Sequence, residues 1–275
     1  MERSRSRNRI YLVLVALALL VALATWRPIA RALLGPPEVV MLEAHDHGPG
    51  GRLDHAELSR LLARHVDEHG RVDYRGLAAE RSRLDAYIGT LASVPFNSLT
   101  RDEKLALLIN AYNAFTLQLV LDHYPLESIL DIPSRQRWTG RTFELAGEHL
   151  TLEQIEHEHI RPRFREARIH FALVCASIGC PPLRTEAYEG RLLDEQLEHQ
   201  ARRTHADPAN LQIDAQGVAL TRLYDWYSSD FQQISGSTLA FAAMYSPSLS
   251  ALLKHQPDLE VRFLDYDWSL NDQSR

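Results

Sequence analysis

The chain has 275 residues, 45% hydrophobic and 24% charged, with a formal charge of −6, which is ordinary globular composition and long enough to bury a core without disulfides or metals. Without the six Arg and one Glu of residues 1–35 the charge of the remainder falls to −11. An acidic remainder argues against a nucleic-acid partner and against a face pressed onto anionic lipid.

The first nine residues, MERSRSRNR, run into the uncharged stretch IYLVLVALALLVALATW, residues 10–26. Residues 1–35 therefore read as a signal anchor or signal peptide. Arginines before the apolar run and Trp26 after it favour an uncleaved anchor with the remaining chain outside the cytoplasm, periplasmic or extracellular. Ala22-Leu23-Ala24 offers the small-x-small site of the alternative, a cleaved and secreted form. Residues 36–52, rich in Gly, Pro and His, read as a linker, and a single domain is expected over 53–271. At their join, Asp46 to Glu57 matches part of a calcium-loop template, but Gly48 and Gly50 leave it too few oxygen ligands.

A helical pattern of Leu58, Leu61, Leu62 and Val66 leads into HGRVDYRGL, a turn with a short extended piece, and then a polar helix of about 77–92. Thr100 and Glu103 make a T-x-x-E capping box for LALLINAYNAFTLQLVLDHY, which Pro125 ends. Apolar residues occupy nearly all its faces, so this helix is expected to be central and buried. RTFELAGEHL (141–150) alternates around a glycine turn, as a β-hairpin does. Thr151 and Gln154 form a second capping box, for a helix through about Ile160. RIHFALVC (168–175), apolar on both faces, predicts an inner strand. A helix of about 190–206, a second hairpin in LQIDAQGVALT and a last extended piece in LEVRFLDYDW follow. Strands and helices mix without a regular βα repeat. The expected fold is α+β, a single mixed domain with a central buried helix and a small sheet.

Both cysteines, Cys175 and Cys180, follow the expected strand. A strand would fix Cys175, and the small residues after it would leave room for a substrate. A thiol nucleophile also needs a base. His170, five positions earlier, would point to the opposite face of a strand. His157 and His159 are better placed, with Glu153 one turn before His157 to orient it and Glu156 as the alternative if His159 is the active ring. Three other readings stay open. Exported cysteines five apart often bond to one another, and a redox pair would depart from the C-x-x-C spacing. With the histidines the cysteines supply enough zinc ligands, though at no structural zinc spacing. No cofactor is expected, zinc being the one metal left open. Asn110 and Asn113, three apart on the apolar helix, share a face and must be hydrogen-bonded, either lining a pocket or tying the helix to neighbouring backbone.

GRVDYRGL, LLINAYNAFTLQLVLDHYPLESI, LTLEQIEHEHIRPRF, RIHFALVCASIGCPPL and the terminal YDWSLN, in this order, resemble the DUF547 family of unknown function. The resemblance implies that Glu156-His157, Arg161, His170, both cysteines and both asparagines belong to the family pattern. The leading expectation is a membrane-tethered thiol-dependent hydrolase or acyl transferase acting on an amide or ester bond in the cell envelope, with Cys175 as nucleophile and His157 as base. The alternative is a non-catalytic envelope-binding module in which Cys175 and Cys180 form a structural disulfide.

Overall fold

The computed structural model describes residues 36–43, 45, 48–214, 217–257 and 259–274. The expected membrane segment at 10–26 lies outside the described residues. The chain separates into two units, Met1–Glu38 and Val39–Arg275, and everything below concerns the second.

The helix Arg101–Leu121 is its axis. Thr100 accepts the Glu103 N–H as N-cap, and every residue from Glu103 to Leu117 is buried, as an all-round apolar helix requires. It is long and apolar enough to cross a membrane, yet it is the core of this unit. Arg81–Leu91 packs on it, and Ala56–His65 packs on Arg81–Leu91. The single helix expected over 77–92 is two, Tyr74–Ala79 and Arg81–Leu91. Asp73 caps the first by accepting the Gly76 N–H, and Glu80, between the two, is held by Arg64 and Arg83.

The hairpin expected at 141–150 is present as β1 (Thr142–Leu145) and β2 (Glu148–Thr151), antiparallel with Phe143 opposite Leu150. Its two turn residues, Ala146 and Gly147, have φ of 53° and 82°, the left-handed pair that a tight two-residue hairpin demands. Their N–H groups donate to the carbonyls of Leu91 and Ala92, which docks the turn on a helix end. The second hairpin is β3 (Leu211–Asp214) with β4 (Gly217–Leu220), and the last extended piece adds β5 (Val261–Phe263) parallel to β4. The mixture of helices with two small sheets is α+β, as expected.

The inner strand expected over 168–175 is not formed. Ala167–Phe171 is a 3-10 helix, and the backbone that follows is claimed by a side chain. Asn113 donates to the Ala172 carbonyl and accepts the Val174 N–H, both at 2.9 Å. An apolar run without polar gaps signals burial, and burial alone does not choose a strand. The pattern was satisfied by packing against the central helix on one side and a second, aromatic core around Phe171, Tyr224, Phe231 and Phe241 on the other.

The segment expected as a linker also contributes to packing. Met41 is buried in the aromatic core, and Glu43 pairs with Arg101.

Candidate functional site

Thr151 and Gln154 form the full capping box read from the sequence, and they start a single turn, Leu152–Gln154. From Ile155 to Ile160 the helix widens to π, so that the Arg161 N–H reaches back to the Glu156 carbonyl at 2.9 Å. Wide turns of this kind are rare and concentrate at functional sites. Here the widening turns Glu156 and Arg161 inward together, both of them buried.

Arg161 meets a residue that the sequence reading passed over. Its Nε and one terminal nitrogen donate to Asp230 at 2.7 and 2.9 Å, a bidentate pair. His170 Nε2 lies 2.8 Å from the same carboxylate and donates to it, while the imidazole stacks on Tyr227 with centroids 3.8 Å apart. Burial holds His170 below the usual histidine range despite that neighbour, so Arg161 is the cation of the trio. Burial also works against ionisation of Asp230, but hydrogen bonds from His170 and Arg161 overcome it and hold the carboxyl well below its usual value. Beside them sits Glu156. Burial, and after it the charge of Glu156, pushes the phenols of Tyr112 and Tyr227 far upward, so both hydroxyls stay protonated and act as donors toward that carboxylate.

Cys175 and Cys180 form a disulfide. Cys175 is half-buried and its sulfur lies 3.2 Å from the hydroxyls of Ser177 and Tyr266. Cys180 is buried; its sulfur accepts from Tyr266 at 3.1 Å and from the Cys175 N–H at 3.0 Å. Ala176, between them, takes a φ of 66°, a conformation costly for a residue with a side chain and held in place only by strong surroundings. Those surroundings are the terminal YDWSLN segment. Ile178 and Gly179 donate to the carbonyls of Ser269 and Asp267, and Asn271 donates to that of Ala176. Tyr266 in turn packs with Trp226 and Trp268, whose centroids lie 4.8 and 4.5 Å away, and Trp138 lies 6.3 Å beyond Trp268.

The expected catalytic set is thus distributed. His157 Nδ1 accepts from Arg161 at 3.1 Å and faces the Glu156 carboxylate at 3.7 Å. Among the described residues no imidazole hydrogen-bonds the Cys175 sulfur. Glu153 contributes its backbone N–H to the Trp138 carbonyl at 3.1 Å. His159 is buried, and burial followed by the charge of Arg163 lowers its basicity. Asn110 bonds both backbone groups of Tyr188 at 2.8 Å, so both asparagines tie the central helix to neighbouring backbone. His170, set aside because a strand would have turned it from Cys175, joins Arg161 instead. Asp230, Tyr227, Ser177 and Tyr266 were missed. Of these, Tyr266 opens a segment that the family resemblance had already marked, whereas Asp230, in the polar context Ser228-Ser229-Asp230-Phe231-Gln232, carried no local signal. No group of three or more His, Cys, Asp or Glu side chains disposed to hold a metal occurs among the described residues.

A buried helix crossed by a π-turn, with a disulfide loop zipped to the C-terminal segment, defines an α+β domain whose polar residues converge from distant parts of the chain. Residues 96–203, which contain that helix, the π-turn and both cysteines, match the model of the family described as protein of unknown function, DUF547. The chain carries a DUF547 domain, as its motifs indicated. No curated protein and no solved structure matches it.

Proposed function

We propose that this protein is an exported, membrane-tethered binding module of the cell envelope, in which the Cys175–Cys180 disulfide is a structural brace. One observation carries this reading: both sulfurs are engaged with each other and with the hydroxyls of Tyr266 and Ser177, and not with an imidazole. An oxidising exterior, reached through the segment at 10–26, would keep such a bond closed. The bonded loop then holds the half-buried aromatic group of Trp226, Tyr266 and Trp268 beside the Glu156 carboxylate, a mixture of ring faces and polar groups suited to recognition.

The test is thiol titration of protein purified without reductant. No reaction is expected until the chain is denatured and reduced, when both cysteines should react; a fast-reacting thiol on the folded, unreduced protein would overturn the reading.

A second reading is favoured by the half-exposure of Cys175 and its two hydroxyl neighbours. After an external dithiol reduced the bond, those hydroxyls would stabilise a Cys175 thiolate. That thiolate would attack an ester or amide carbonyl to form a thioester, the alcohol or amine would leave with a proton, and water would hydrolyse the thioester. His157 would have to turn away from Arg161 to serve as base. Dithiol-dependent turnover of an activated ester, absent in Cys175→Ser, would establish this reading over the first.

A further inference from the structure

Away from the cysteines, Arg184, Thr185 and Glu186 on the loop after Cys180, together with His199 and Arg203 on the helix Leu193–Ala206, line an open cavity of about 280 Å³. The Arg184 side chain is only 10% exposed. It donates to the Gln196 carbonyl at 3.3 Å and to His199 Nδ1 at 3.0 Å, and it reaches Glu186, while its Nε–H is buried with no acceptor among the described residues. Accepting that bond fixes the His199 tautomer, with its own proton on Nε2. The guanidinium centre lies 5.7 Å from the ring centroid of Tyr188, whose buried hydroxyl also has no partner among the described residues.

Arg203 is the second cation. It is half-buried and donates to the Glu68 carbonyl, and among the described residues it forms no ion pair with a carboxylate. Burial, and then the charge of Arg184, weakens its hold on its own proton. Arg64, Arg83, Arg101 and Arg168 each face a carboxylate instead. Of the residues lining the cavity Glu186 is the one carboxylate, half-exposed and paired with Arg184, while the charges of Asp67 and Asp207 act on Arg203 from outside the lining. Two partly desolvated guanidiniums in one lining, with further donors on separate side chains, are complementary to an anion.

We propose that this cavity binds a small oxyanion of the phosphate class through Arg203, Arg184, the Nε2–H of His199 and the Thr185 hydroxyl. Two guanidiniums in one lining favour a multiply charged ion, and donors on separate side chains suit tetrahedral oxygens better than a planar carboxylate. The acidic remainder of the chain gives the site no extended basic surroundings, so the ligand is a single phosphate group, free or on a headgroup, and not an extended anionic surface. The proposal is independent of the state of the cysteines.

The test is calorimetric titration of the full chain with inorganic phosphate, with chloride at equal ionic strength as reference. Saturable binding with a Kd of about 1 mM or tighter is expected, and Arg203→Gln should weaken it about tenfold. Arg202→Gln, which breaks only the exposed pair with Glu198, should leave it unchanged. Glycerophosphoglycerol binding tighter than phosphate, and lost with Arg203→Gln, would place the phosphate on a lipid headgroup. The reverse order would place it on a free ion, and both support the site. If Arg203→Gln does not fold by circular dichroism, His199→Ala replaces it with a several-fold weakening expected. A phosphate signal no larger than chloride's, or one that folded Arg203→Gln or His199→Ala leaves intact, overturns the proposal.

Discussion

Arg161 and Arg203 are both guanidiniums withdrawn from water, and they are compensated in opposite ways. Arg161, 1% exposed, ends on two oxygens of Asp230, which also receives His170. Arg203 ends on a backbone carbonyl beside another arginine. A closed set of charges holds a shape, because each member satisfies the others and nothing is left for a ligand. An open set gives up some stability and keeps charge available at a cavity. The difference separates the groups that build this domain from those that can act on something else.

The most severe way to break the closed set is Asp230→Ala, which strands Arg161 without its carboxylate. A loss of about 3–5 kcal/mol in urea denaturation is expected, larger than at any exposed ion pair. Acid probes the same closure without mutation. Burial holds His55 and His205 down to about 4, below their unfolded values near 6.5. The unfolded chain therefore binds protons that the folded chain refuses, and stability present above about pH 6.5 should fall steadily toward pH 4, by up to about 3 kcal/mol per histidine. Thermal melts across that window check it, and replacing either histidine by Gln should flatten the slope. Asn113→Ala removes two buried hydrogen bonds and should cost about 2 kcal/mol, measured by denaturation, with the 172–174 backbone gaining hydrogen exchange. On the open side, Arg203→Gln should change stability by no more than about 0.5 kcal/mol, since no ion pair is lost there.

The parts of this fold that were legible are those specified by neighbours in sequence. The central helix, the Thr151–Gln154 capping box and the hairpin turn at Ala146-Gly147 depend on side chains within four residues of one another, and their patterns were readable. The segment 168–175 depends on Asn113, about sixty positions away, which replaces the strand partner the apolar run implied. The site was harder for the same reason. Glu156, Arg161, His170 and the cysteines were named, but their partners Asp230, Tyr227 and Tyr266 arrive from the last fifty residues, and no local spacing links a histidine at 170 to a carboxylate at 230. Pairing His157 with Cys175 relied on proximity along the chain, whereas the guanidinium one turn onward was the nearer partner.

The widened turn at Ile155–Ile160 sets a rule for length. Glu156 and Arg161 lie five positions apart, and only the π geometry aims both at the interior. Wound as regular helix at about 100° per residue, the same five-position step would leave the two side chains about 140° apart and swing one of them toward solvent. Related chains that keep this pair of inward charges should therefore either keep the five-position spacing with the wide turn, or lose one residue and the wide turn together, which returns the pair to one face of a regular helix.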